Sequence, residues 1–216
     1  MYNLRNLALL SGTAAAALVA WACDRQPAAV APEVGAPLAH FGQPFCVPFK
    51  MTGGGRIDFP EGTAEKNPPS SHIYQTFGAH VMSSGVEQNG VCLADKGVLQ
   101  WVDHRPQFRI NGRPLNLHSI EVTFAEAFFP PETDCEDGAA RWGGRLEVKN
   151  TGEIADFEVF DCDNGEPGRG HDGFAISAFP VNGERYEVIC PDPDLPPAEP
   201  ACTLTGGNRQ FHPTHL

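Results

Sequence analysis

The 216-residue chain is short of positive charge, of tyrosine and methionine, and of any helical repeat. Fifteen Lys and Arg stand against 27 Asp and Glu, a net charge of −12, with three Tyr and three Met. No basic stripe exists to neutralise a phosphate backbone, which argues against a nucleic-acid partner. No two cysteines are spaced as CxxC, so a zinc cluster is not indicated. There is no HExxH, no Gly-x-Ser-x-Gly, and no Gly-Lys-Ser/Thr after the triplet Gly53-Gly54-Gly55. These absences remove the zincin, nucleophile-elbow and phosphate-loop mechanisms from consideration.

What is present begins with a polar start, Met1 to Asn6, and an apolar run from Leu7 to Ala22. The run is too short for a comfortable membrane span and reads as a secretory signal over 1–22. Small residues precede Cys23, as lipoprotein processing requires, so Cys23 is the expected lipid carrier and the membrane the expected partner. Plain secretion and an uncleaved anchor helix are the alternatives. Residues 23–45 are Ala- and Pro-rich without periodicity and read as a disordered tether. A single domain over 46–216 follows. It is expected outside the cytoplasm, in a bacterial envelope or secreted.

Six cysteines remain: Cys46, Cys92, Cys135, Cys162, Cys190 and Cys202. An even set in an exported chain reads as three disulfides, with connectivity open. Cys190 and Cys202 bracket the proline-rich 191–200 and are expected to pair. Cys135 with Cys162 and Cys46 with Cys92 would then complete the set.

Short alternating runs separated by glycine turns recur along the domain. Strands are expected at 46–52, 56–59, 73–81, 97–104, 108–110, 115–124, 141–149, 154–160, 174–179, 185–189 and 208–212, with hairpin turns at Asn111-Gly112 and Asn150–Gly152. The glycine triplet reads as a bend. Val98, Gln100, Val102 and His104 should share one face of a strand, and Leu99, Trp101 and Asp103 the other. The pattern predicts an all-β fold, a disulfide-braced two-sheet antiparallel β-sandwich, Ig-like or jelly-roll-like.

The acidic stretch 161–172 is the sharpest chemical feature. Read as a loop between strands, it would bring Asp161, Asp163, Asn164, Glu166 and Asp172 to one point, the hard oxygen ligands calcium needs. The alternative is a turn in which Asp163 and Asn164 bond the backbone and Asp172 faces solvent. His104, His118 and His212, with Asp103 beside His104, offer a second chemistry, metal binding or acid–base work. Phe128 and Phe129 read as an apolar loop tip beside four acids, a candidate docking point for a partner. Trp101 and Phe124 fit the core.

Four pieces carry a family likeness: Met51–Asp58 with Thr76–Gly78; Leu99–His104 with Leu117–Ser119; Asp163–Gly168 with Asp172–Ile176; and Gly206–His212. In order and spacing they resemble the post-COAP-1 type of exported bacterial β-domain, over residues 46–212. The resemblance implies an exported domain, a β-sandwich, with no established catalytic role. The six mature cysteines and the 128–139 insert depart from that pattern. The expectation is a non-enzymatic binding or structural module with a protein or glycan partner, stabilised by calcium. The competing expectation is an extracellular hydrolase or metal enzyme using Asp103, His104 and His118.

Overall fold

A computed structural model describes residues 44–58, 74–130, 133, 135–190 and 201–214. The signal segment, Cys23, nearly all of the tether, the 59–73 connection and the proline-rich 191–200 lie outside the described residues.

Twelve strands follow one another: β1 (Pro48–Asp58), β2 (Tyr74–Ser84), β3 (Glu87–Gln88), β4 (Val91–Cys92), β5 (Lys96–Asp103), β6 (Leu115–Phe128), β7 (Gly138–Val148), β8 (Glu153–Asp163), β9 (Gly173–Val181), β10 (Glu184–Val188), β11 (Cys202–Thr203) and β12 (Gly206–Pro213). The domain is all-β and antiparallel, as the alternation predicts. In place of two sheets, however, one ten-stranded sheet runs β10-β9-β8-β7-β6-β5-β2-β1-β12, with β11 beside β9 and only β3–β4 apart. This sheet curls into a half-barrel. The strands are long enough to explain it: β6 has 14 residues and carries two register breaks, and bulged, strongly twisted strands coil a sheet rather than leave it flat.

The curl brings the inner faces of distant strands together. Phe77 on β2 and Trp101 on β5 stack against Phe174 on β9, with ring centroids 3.9 and 5.7 Å away. Met51, Leu99, Trp142, Phe157 and Ile176 complete a core with almost no solvent contact. Fully burying each such side chain contributes about 1.5–3 kcal/mol. A smaller core lies on the opposite side of the sheet, where Phe128, Cys135, Ala139, Phe160, Cys162 and Ala175 pack together. The disulfides are Cys46–Cys92, Cys135–Cys162 and Cys190–Cys202, the pairs named above.

Three local expectations are corrected. The glycine triplet does not bend the chain, because β1 runs through it unbroken. Gly53 has φ +132, and a Cβ there would sit 2.0 Å from the Asn208 carbonyl oxygen, so the glycine serves close approach of β12. The strand expected over 108–110 does not form: Phe108 closes a 3-10 turn that opens at Pro106, and Ile110 makes an isolated bridge to Arg113. Finally β8 extends to Asp163, three residues into the stretch read as a loop.

Candidate functional site

That extension decides the fate of the acidic stretch. With Asp161 and Asp163 still in the strand, both fall on the inward parity set by Phe157 and Val159. Asp161 is fully buried and meets Arg209 of β12 in a two-pronged ion pair, Nε to Oδ1 and Nη2 to Oδ2, both 2.6 Å. The Trp142 indole N–H donates to Oδ2 as well, at 3.1 Å. A third donor, Nη1, goes to the Ala79 carbonyl, 2.8 Å away. Burial pushes the Asp161 carboxyl up, against the pull of the guanidinium and the indole.

The neighbouring acids do a different job. β12 is an edge strand, with β1 on one side and no strand on the other. Two of its outward-pointing amides are answered by carboxylates: Phe211 N–H donates to Asp163 Oδ2 and Arg209 N–H to Asp172 Oδ2, both at 2.6 Å. The other oxygen of each acid accepts from the loop itself, from Gly165 N–H and Asn164 N–H at 3.0 Å. Asn164 accepts from Glu136 N–H, and Glu166 accepts from the side-chain amides of Asn208 and Gln210. The five residues therefore do cluster, but their oxygens are directed at protein donors. Among the described residues no group of three or more His, Cys, Asp and Glu is placed to hold a metal ion. Asp172 is buried rather than solvent-facing, and burial pushes its carboxyl up against those two amides.

The histidines do not converge with Asp103. Asp103 points into the core, where it holds Arg105 through Oδ1 and Oδ2 and accepts from the Tyr186 hydroxyl at 2.7 Å. The Trp101 indole donates to that same hydroxyl, also at 2.7 Å. Burial and the Asp103 carboxylate hold the Tyr186 phenol well above its ordinary value. His104 stacks on Tyr74, His118 pairs in register with Gln100 on the solvent face, and His212 lies opposite Lys50 on the far edge. Nor is the Phe128–Phe129 pair an exposed tip. β6 continues to Phe128, which is 1% exposed against Phe160, while Phe129 packs on Phe211. The insert folds back because Cys135 is tied to Cys162. Of the acids beside that pair, positions 132 and 134 lie outside the described residues.

No family model, curated protein or solved structure matches the chain.

What remains open is the solvent face of the sheet. One hollow of about 550 Å³ lies over β1, β2 and β5, lined by Lys50, Thr52, His80, Met82, Val98 and Gln100. A second, of about 610 Å³, lies further along β5, lined by Val102, Asn111, Arg113, Asn116, Lys149 and Asn150. Strand alternation explains both, since the outward residues of β5 are Val98, Gln100 and Val102 while Leu99, Trp101 and Asp103 fill the core. Among the outward positions of β1, β2 and β5 the one carboxylate is Asp58, bonded by the Arg56 Nε at 2.7 Å. In a chain of charge −12 that is a marked local depletion of acid. In the second hollow Asn116 Oδ1 is buried with no hydrogen-bond partner among the described residues.

Sequence reasoning missed Arg209 and this face. Arg209 shares strand parity with Phe211, and a lone arginine on an apolar parity between phenylalanine and glycine is the signal that could have exposed it.

Proposed function

We propose that the chain is a non-enzymatic binding module of a bacterial cell envelope, exported as the post-COAP-1 resemblance implies and tethered by lipid on Cys23 as the residues before that cysteine suggest. The half-barrel supplies the scaffold, and the solvent face of β1, β2 and β5 supplies the binding surface. The observation that carries this reading is a division of labour. Reactive-looking groups, Asp103, Tyr186, Asp161 and Arg209, are spent on one another inside, whereas the two hollows outside hold amides, a hydroxyl, imidazole and ammonium groups. Such groups hold a ligand without converging on an acid–base pair. Three disulfides suit an oxidising compartment.

Two measurements test the reading. The intact mass of the mature protein should show diacylglyceryl on Cys23, and Cys23→Ala should move the protein from the membrane to the soluble fraction. A mature chain that still begins at Met1 overturns the anchoring. The lipid-free chain should also bind isolated envelope material saturably, and Val98→Asp should abolish that binding. Binding that is absent, or indifferent to Val98→Asp, overturns the module.

A further inference from the structure

We infer that the ligand of this face is an acidic polysaccharide of the uronic-acid class, lying along β5 across both hollows. The inference rests on the proposed binding reading and names its partner. Val98 and Val102 stand four residues apart on β5, about 13 Å at the rise of a strand. Each hollow has the volume of a small-molecule site, and their linings meet at neighbouring register rows, Gln100 of the first beside Val102 and Asn116 of the second.

The chemistry of the lining selects among anionic partners. Cations mark both ends, Lys50 and Lys96 at one and Arg113 and Lys149 at the other. Lys149 also meets Glu147 at 2.7 Å, an exposed pair that is weak and easily exchanged. Between the cations stand groups that accept as well as donate: Thr52, Gln100, Asn111 and Asn116. The side-chain oxygens of these groups accept from a sugar hydroxyl, whereas a carboxylate or phosphate brings no proton to them. An extended acidic peptide would meet a sheet face, whose strands are already paired on both sides, and would gain none of the backbone bonds that edge addition supplies. A membrane would require a broad apolar surface to insert, whereas Met82 and Val98, 37% and 41% exposed, each stand directly opposite a polar residue, Lys96 and His80.

The floor of the first hollow ends one register row before Val102 and Asn116 of the second. Gly54, Gly78, Gln100 and His118 lie side by side across β1, β2, β5 and β6. Gly54 is forced, since a Cβ there would lie 2.6 Å from the Phe77 carbonyl oxygen. Gly78 is not, because an added Cβ would meet nothing within 4 Å. Packing leaves Gly78 unexplained; a ligand lying on the floor of the first hollow explains it.

The test uses the mature chain made lipid-free by Cys23→Ala, titrated calorimetrically with a galacturonate hexamer. The controls are a neutral hexasaccharide, poly-glutamate of equal charge, and vesicles containing phosphatidylglycerol. The hexauronate should bind at least about tenfold more tightly than every control, weakening as salt screens the charges. Lys50→Ala and Arg113→Ala should each weaken it several-fold. Gly78→Val should keep the melting temperature, since valine suits a strand, and weaken binding at least about tenfold. Equal affinity for poly-glutamate or vesicles overturns the inference, as does a fully active Gly78→Val. If envelope material still binds in a Val98-dependent way while the hexauronate does not, only the ligand class is wrong. If neither binds, the module itself falls.

Discussion

Asp161 and Arg209, 48 residues apart, form a fully buried ion pair that joins β8 to β12 across the mouth of the half-barrel. Neither partner touches water, and a third guanidinium donor is held by the Ala79 carbonyl. The pair therefore behaves as a cross-brace rather than as a surface salt bridge. Removing one partner leaves an uncompensated charge in the core, so Asp161→Asn or Arg209→Met should cost about 3–5 kcal/mol in denaturant unfolding. The double variant should lose less than the sum, and a double-mutant cycle measures the coupling.

The carboxylates that cap β12 lend themselves to hydrogen exchange. Asp163→Ala frees the Phe211 amide and Asp172→Ala frees the Arg209 amide, each at about 1–3 kcal/mol. Those two amides should exchange faster in the respective variants while amides of β7 remain protected.

Calcium separates the two readings of the same stretch. Because Asp163 and Asp172 already accept two protein hydrogen bonds each, melting in millimolar calcium should match melting in excess chelator. A rise of several degrees, lost in Asp163→Ala, would restore the metal site, since a ligand of the folded state alone must raise the melting point.

Glu158 carries the pH prediction. Its Oε1 is buried without a partner, and Glu126 lies near on the same side while already bonded to Arg141. Burial pushes the Glu158 carboxyl up, opposed by Arg141 and reinforced by Glu126. A carboxyl raised in the folded state binds its proton more tightly there. Its contribution therefore grows as pH falls through the folded value toward 4.5 and is lost above it. Glu158→Gln should accordingly raise the melting temperature at neutral pH, by up to about 2–4 °C. That gain should vanish below the ordinary carboxylate range.

Much of the half-barrel is legible in the sequence. The alternation of β2 and β5 sorts Phe77, Val81, Leu99 and Trp101 inward without error, and the glycine turns after β7 and before β6 fall where expected. The sandwich expectation misses because alternation reports which face is wet, not whether the wet faces belong to one sheet or two. The curl depends on bulges in β6 around Ile120 and Thr123, whose local sequence looks like ordinary strand. The acidic stretch misleads for a related reason: its composition resembles a ligand loop, while its first three residues obey strand parity. What fixes their role is Arg209, too distant in sequence for any local pattern to pair with them.

The first and last strands of the sheet lie side by side, β1 against β12, over eight registered pairs from Phe49–Pro213 to Arg56–Gly206. The ribosome releases a chain from its N-terminus. β1 must therefore wait, one edge unpaired, until nearly the whole chain has emerged, and Asp161 waits with it for its counter-charge. The half-barrel cannot lock ahead of its own delivery, and a chain cut short before Arg209 would present an open edge and an unpaired buried carboxylate to whatever quality control surveys it.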